Sequence, residues 1–248
     1  MSGVLGALPP HLLPEDRRKK PYGYEELVVD PGLPIEAVRQ NVSIGDAVSF
    51  RQPLRKLLGK RVAGKALDNR ASLAAVTVCL ENLNGRFHEW DVVAVATAQE
   101  ETRLLGAFTA AFSQQPDAAI AIDVTFGIGP GASDERAFEL GSGPVIEIGP
   151  NVHPKMTERL TNTADNLELK YNMGTHSRYS GTDAMGVQIA REGVPTGLVS
   201  IPLRYMHTMV ESIDTQDVER TGKLLAEFIA TLDKDSLIVG QSSSQIVE

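Results

Sequence analysis

The stretch DVVAVATAQEETRLLGAFTAAFSQQPDAAIAIDVT, residues 91–125, decides the fold class of this chain. It predicts an apolar strand at 91–98, a helix at 105–114 and a second apolar strand at 117–125. Both predicted strands are rich in apolar residues along most of their length, which is typical of strands buried on both faces of a sheet. The stretch therefore predicts an α/β fold in which helices cover both faces of a sheet.

The same alternation of strands and helices extends over most of the chain, from about Gly59 onward. Further strands are predicted at 144–149, 169–173 and 196–204, and further helices at 69–84, 154–168, 181–193 and 214–232. Residues 1–58 differ, because they are rich in proline and glycine and contain only short β-like pieces. We expect a β-rich region at 1–58, an α/β domain at 59–240 and a polar tail at 241–248.

Composition excludes several classes of function. The net charge of -8 over 248 residues argues against general affinity for nucleic acid, which needs a basic surface. A single cysteine, Cys79, excludes an intrachain disulfide and a cysteine-based zinc knuckle, and it suits a reducing compartment. The apolar N-terminal patch is broken by Pro9 and Pro10 and follows no basic segment, so it is a poor signal peptide. No apolar run approaches ~20 residues, and we expect a cytoplasmic protein with no membrane partner.

Side chains that suit metal chemistry follow the predicted strands or begin helices beside them. They are Asp68, Glu100, Glu101, Asp123 and His207. In open α/β sheets, ligands bind beyond the carboxyl ends of the strands, so these side chains are expected to lie at one edge. Carboxylates that converge there repel each other unless a cation is present. Carboxylates together with imidazole suit a divalent site of the zinc or cobalt type.

Each of these residues also has a purely structural interpretation. Asp68 can be a helix N-cap, Asp123 can cap a turn, and His207 can be a hydrogen-bonded surface histidine. Glu100 and Glu101 can be solvated loop residues. Neighbouring side chains on an extended segment point in opposite directions, so one glutamate can be a metal ligand while the other acts as a base.

Five motifs occur in order along the chain, namely GKALDNR, TAQEETRLLGA, AIAIDVT, SGTDA and SIPLRYMHT. Together they resemble the tetrahedral aminopeptidases, a family of dinuclear metallo-aminopeptidases. The family includes glutamyl and deblocking aminopeptidases, and its members are often labelled cellulase or endoglucanase. The resemblance implies a zinc-peptidase-like mixed sheet sandwiched by helices, with residues 1–58 as part of a small β-rich insertion domain for dimerisation. It also implies peptide substrates and assembly into a homo-oligomer, either a dimer or a larger shell.

The resemblance implies a role for each matching position. Asp68 matches the carboxylate that bridges two metal ions. Glu101 and His207 match ligands of one of those ions, and Asp123 matches a ligand of the other. Glu100 matches the general base that activates the attacking water for hydrolysis of an N-terminal peptide bond.

Residues around SGTDA are expected to scaffold the site or to contact substrate. They are Ser180, Gly181 and Thr182, together with His176 a few residues earlier. Asp183, in the same motif, is not expected to be a metal ligand.

The sequence departs from the family pattern ahead of Asp68. The family has an H-x-D motif there, whose histidine completes the second metal site, but the only earlier histidine in this chain is His11. The chain is therefore interpreted as N-terminally truncated. One zinc or cobalt ion, or none, is expected in place of the two in the family, and His176 is a possible substitute ligand.

Two other functions are consistent with parts of the sequence. The chain can be a non-catalytic truncated homologue that acts as an assembly fragment, which the absent H-x-D motif favours. It can also be a glycosidase that uses a pair of carboxylates, although this explains neither His207 nor Asp68.

Overall fold

The computed structural model describes residues 1–132, 136–233 and 236. The chain divides into two compact units, one spanning Met1–Ser49 and the other beginning at Phe50. The predicted polar tail at 241–248 lies outside the described residues. Within these ranges, none of the helices combines the length and apolar character that crossing a membrane requires.

The first unit contains a small antiparallel sheet and one short helix. Strands β1 (Val4–Ala7) and β2 (Leu27–Asp30) pair along their whole length. Arg17 forms an ion pair with Glu26 in the connection between the two strands. Helix α1 (Ile35–Asn41) follows β2.

The second unit is built on a seven-stranded mixed sheet. Its strands are β3 (Arg55–Lys56), β4 (Arg61–Gly64), β5 (Ala119–Phe126), β6 (Val145–Ile148), β7 (Asn172–Thr175), β8 (Thr196–Arg204) and β9 (Glu211–Asp214). Its helices are α2 (Leu67–Leu83), α3 (Glu100–Arg103), α4 (Leu105–Gln114), α5 (Pro154–Asn166), α6 (Asp183–Gln188) and α7 (Thr215–Ala230). The order across the sheet is β3-β4-β9-β8-β6-β7, and β5 runs parallel along β8. This mixed sheet between helices confirms the predicted fold class.

Strand β8 is the centre of the core, because alternate residues serve opposite faces of the sheet. Val199 packs in a cluster with residues of α2, α5 and α7, and Ile201 packs in a second cluster with residues of α2. Leu198 points to the other face and packs with Ala184 of α6. Strand β8 is therefore buried on both faces, and its bounds agree with the predicted 196–204.

The predicted strand at 91–98 is wrong. Residues 91–97 belong to no helix or strand and form no ladder with any strand that the structure describes. Apolar and β-branched composition favours an extended backbone, but a strand also needs a partner for its N–H and C=O groups. The chain then turns at Gln99, whose left-handed φ of 62° starts α3. Glu100 and Glu101 therefore lie on a helical turn and not on an extended segment.

Other element boundaries also differ from the predictions. Strand β5 lies close to the predicted 117–125, so Asp123 is inside a strand and does not follow one. The helix predicted at 181–193 stops at Gln188, because the next residues form turns in which Gly193 N–H bonds the Ala190 carbonyl. Strand β7 begins at Asn172, near the end of the predicted 169–173. Strand β9 was not predicted.

Helices α2 and α7 approach closely at Gly222, so a substitution at this residue tests the packing between the two helices. A methyl group added there would lie 2.6 Å from Val78 Cβ and 2.7 Å from the Ala75 carbonyl oxygen. Gly222→Ala is therefore expected to lower the free energy of unfolding by about 1–3 kcal/mol, as measured by denaturant unfolding. Lys223→Ala, at the exposed neighbouring position, is the control and should change it by less than about 0.5 kcal/mol. Equal stability of Gly222→Ala and the native chain would contradict this packing.

Candidate metal centre

Three of the predicted site residues come together at one point. His207 Nε2 lies 3.2 Å from Asp68 Oδ2 and 3.4 Å from Glu101 Oε2. One ligand atom from each of the three residues lies within 4.8 Å of the other two. We call Asp68, Glu101 and His207 the trio. The Asp68 side chain is 8% exposed, whereas that of His207 is 64% exposed, so the trio has one buried side and one side open to solvent.

Three separate segments bring the trio together. Asp68 lies in the irregular first turn of α2, where its ψ of 102° is not helical. Glu101 lies in α3, the short helix that follows the segment 91–97. His207 lies in the loop between β8 and β9 with a left-handed φ of 60°.

The helix-capping interpretation of Asp68 is not what the structure shows. The capping bond at the start of α2 belongs to Asn69, whose Oδ1 accepts from the Ser72 N–H at 3.3 Å. The Asp68 carboxylate therefore does not cap the helix, and it faces His207. Asn69 also donates from Nδ2 to Asp123 Oδ1 at 3.2 Å, which connects α2 to β5.

Asp123 lies beside the trio but outside it. It is buried in β5, and its Oδ1 also accepts from the Val124 N–H at 2.8 Å. Among the residues that the structure describes, the trio is the one group of three or more side chains with metal-ligand spacing.

The carboxyl groups of this region raise one another's pKa. Burial, followed by the charges of Glu101 and then Glu211, raises the pKa of Asp68 to about 6. Burial, followed by the charge of Glu101, raises the pKa of Glu100 to about 7. Burial is also the main cause that raises the pKa of Asp123 to about 8. All three shifts reflect the free-energy cost of placing negative charges together away from water, a cost that a bound cation reverses.

The residues present fit a divalent metal ion. Two carboxylates and one imidazole are oxygen and nitrogen donors of the kind that zinc and cobalt accept. The distances within the trio are short enough for one ion to contact all three side chains, and the exposed side of His207 leaves access for other ligands.

The SGTDA motif forms a hydrogen-bonded loop at the start of α6. Ser180 donates its N–H to Asn151 Oδ1 at 2.9 Å, and its hydroxyl lies 2.7 Å from that of Thr182. The Thr182 side chain caps α6, and Gly181 has a left-handed φ of 72°. Asp183 accepts from the Thr97 hydroxyl, so the motif is tied to the segment that leads into Glu100.

His176 lies elsewhere. Its Nε2 is 3.3 Å from Oε2 of Glu147, a buried carboxylate in β6, and it is not a member of the trio. The carboxylate of Glu147 fills the space where a side chain at Gly174 would lie. The structure therefore pairs His176 with Glu147 rather than with Asp68 or Asp123.

Two residues of this region were not singled out from the sequence. One is Asn69, described above. The other is Glu211, which is 2% exposed and accepts the His207 N–H at 2.9 Å and the Leu67 N–H at 2.6 Å. A carboxylate four residues after His207, within the short run ESID, is the sequence signal that marks it.

Comparison with known proteins gives consistent matches. The family profile of M42 glutamyl aminopeptidase matches residues 1–224. The chain is 38% identical over 236 residues to the lysyl aminopeptidase of Pyrococcus furiosus, a match that covers 93% of this chain and 67% of the relative.

Solved structures agree with this match. The TET aminopeptidase of a Thaumarchaeota archaeon from marine sediment superimposes with a TM-score of 0.84 at 28% identity, over 94% of this chain and 68% of that one. The TET1 peptidase of Pyrococcus horikoshii superimposes with a TM-score of 0.79 at 30% identity, over 93% of this chain and 68% of that one. The chain thus spans about two thirds of the length of these proteins. The profile match over most of the sequence, together with these relatives, shows that the chain belongs to the M42 glutamyl aminopeptidase family.

Proposed function

We propose that this chain is a metal-dependent aminopeptidase that removes N-terminal residues from peptides. The observation that carries the proposal is the trio, which brings two carboxylates and an imidazole within 4.8 Å of one another in a member of this family. The proposed ion is zinc or cobalt, held by Asp68, Glu101 and His207. When bound, such an ion polarises a carbonyl group and lowers the pKa of a water molecule.

Glu100 is proposed as the general base. Glu100 is half-buried, whereas Glu101 is exposed and faces His207. The two glutamates are therefore proposed to have different roles. Glu100 lies next to the trio member Glu101 in α3, and burial, followed by the charges of Glu101 and Asp183, raises the pKa of its carboxyl group to about 7. In this position Glu100 takes a proton from the attacking water and gives it to the leaving amine.

The substrate is proposed to contact the loop that contains SGTDA. This loop is held in place by its bonds to Asn151 and is connected through Thr97 to the segment before Glu100. Ser180, Gly181 and Thr182 therefore serve mainly to shape the site. A substrate contact of His176 was predicted only from its position close to this motif in the sequence. In the structure, His176 pairs with Glu147.

A second ion is proposed to bind weakly or not at all. Asp68 and Asp123 are the carboxylates available for it, but they form no three-ligand group with an imidazole among the described residues. Carboxylates without imidazole hold a zinc-like ion less firmly. One ion per chain is therefore the proposed state.

A homo-oligomer is also proposed. The support is the similarity to the P. horikoshii TET1 peptidase, which can assemble into a tetrahedron or a large octahedral shell. Light scattering on the purified chain would give the mass of the assembly, and a monomer at all concentrations would contradict this part of the proposal.

The activity is tested with aminoacyl chromogenic substrates that carry different N-terminal residues. The chain loaded with zinc or cobalt is expected to release the chromophore, a chelator should abolish the release, and added metal should restore it. A glucan serves as the control substrate and should not be cleaved. Chelator-insensitive cleavage of the glucan would instead indicate the glycosidase alternative.

The second candidate function is that of a non-catalytic homologue. The observation that favours it is that the trio contains a single imidazole, that of His207. The family pattern was expected to have a second histidine, which completes a second metal site. A chain that binds metal at the trio but hydrolyses none of the aminoacyl substrates would establish this alternative.

A further inference from the structure

Glu211 connects the two segments that carry Asp68 and His207. Its carboxylate is 2% exposed and lies at the start of β9. Oε2 accepts the N–H groups of Leu67 at 2.6 Å and Asp68 at 3.1 Å, and Oε1 accepts the His207 N–H at 2.9 Å. One buried side chain therefore holds the segment at Asp68, which is 143 residues away from Glu211 in the sequence, next to the loop that carries His207.

Both segments need such a partner because neither has regular backbone structure. Ala66, just before the first segment, has a left-handed φ of 51°, and His207 has a φ of 60°. Irregular buried N–H groups must find acceptors outside helices and ladders. A carboxylate forms stronger bonds to them than a neutral acceptor does.

We propose that Glu211 is a positioning residue that fixes the separation of Asp68 and His207 and so prepares the trio for a divalent ion. This inference rests on the proposed metal-dependent function. Glu211 acts through the backbone of its neighbours and does not itself contact the ion, since both of its oxygens are engaged by N–H donors and it lies outside the trio.

Asp217 offers a matched control within the same chain. It is also a fully buried carboxylate, and it accepts the N–H groups of Gly141 at 2.6 Å and Gly143 at 2.8 Å. Arg220 lies 3.5 Å from it. Asp217 therefore orders an irregular turn in the same manner as Glu211, but none of these bonds reaches a segment that carries a member of the trio.

The experiment compares Glu211→Gln with Asp217→Asn on the full chain. Each variant is examined for its unfolding temperature without metal, its affinity for zinc and cobalt by titration, and the visible absorption of bound cobalt. Loss of a residue that orients metal ligands lowers metal affinity by about 10–100-fold, and this is the result expected for Glu211→Gln, with an altered cobalt spectrum. Asp217→Asn should lose stability but keep the native affinity and spectrum.

The outcomes separate this inference from the proposed function. Native affinity and spectrum in Glu211→Gln would overturn the positioning role and leave the proposed function intact. Absence of metal binding by the native chain would overturn both. Equal loss of affinity in the two variants would also overturn the positioning role, because it would reduce Glu211 to a general contribution to stability.

A second variant decides the question if Glu211→Gln does not fold. Glu211→Asp keeps the charge but shortens the side chain by one methylene, so it cannot reach both segments with the native spacing. Weakened metal binding by folded Glu211→Asp supports the inference, and native binding overturns it.

Discussion

Replacing Glu100 with glutamine is expected to lower kcat by about 10²–10⁴-fold while bound metal stays in place. Glutamine keeps the shape of the side chain but cannot accept the proton of the attacking water. Glu100 lies close to the trio but is not a member of it, so the ligands of the ion are unchanged. Steady-state kinetics together with metal analysis of the same sample would check this.

Glu101→Gln is the matched control, because it makes the same chemical change at the neighbouring residue. Glu101 Oε2 lies 3.4 Å from His207 Nε2, so this variant should lose metal affinity first and activity as a consequence. Excess metal should partly restore the activity of Glu101→Gln but not that of Glu100→Gln. If both variants lost metal equally, the division of roles between the two glutamates would be wrong.

Replacing His207 with alanine is expected to weaken metal binding by more than about 100-fold, the upper range for groups that only orient ligands. His207 supplies the one imidazole of the trio, and its removal leaves the carboxylates of Asp68 and Glu101 to hold the ion. Titration with zinc or cobalt, with a coloured chelator as competitor, would measure the change.

His176→Ala removes the same side chain from a place outside the trio. Because His176 lies 3.3 Å from Glu147, its removal should leave metal affinity unchanged. A loss of affinity similar to that of His207→Ala would show instead that His176 is a substitute ligand, and the assignment of the trio would need revision.

Much of the α/β unit could be predicted because its pattern is local. Helix α4 and strand β8 have the predicted bounds, since apolar periodicity and flanking turn residues define both of them. The strand at 91–98 could not be judged in the same way. Its composition favours a strand, but whether it forms a ladder depends on a neighbour far away in the sequence.

The site was predictable in part for a similar reason. Asp68, Glu101 and His207 could be placed near one edge because each follows a strand or begins a helix, and the structure brings them together. Glu211 could not be found this way, because its contacts depend on β9 pairing with β4, where Glu211 lies opposite Gly64. The pairing of His176 with Glu147 likewise depends on the register of β6 and β7.

Metal content per chain tests the central claim most directly. The chain is equilibrated with zinc or cobalt, freed of loosely held ions and subjected to elemental analysis beside His207→Ala. The native chain is expected to retain one ion, held by Asp68, Glu101 and His207, and the variant is expected to retain none. A native chain that retains no ion, or a variant that retains as much as the native chain, would contradict the assignment of the metal centre.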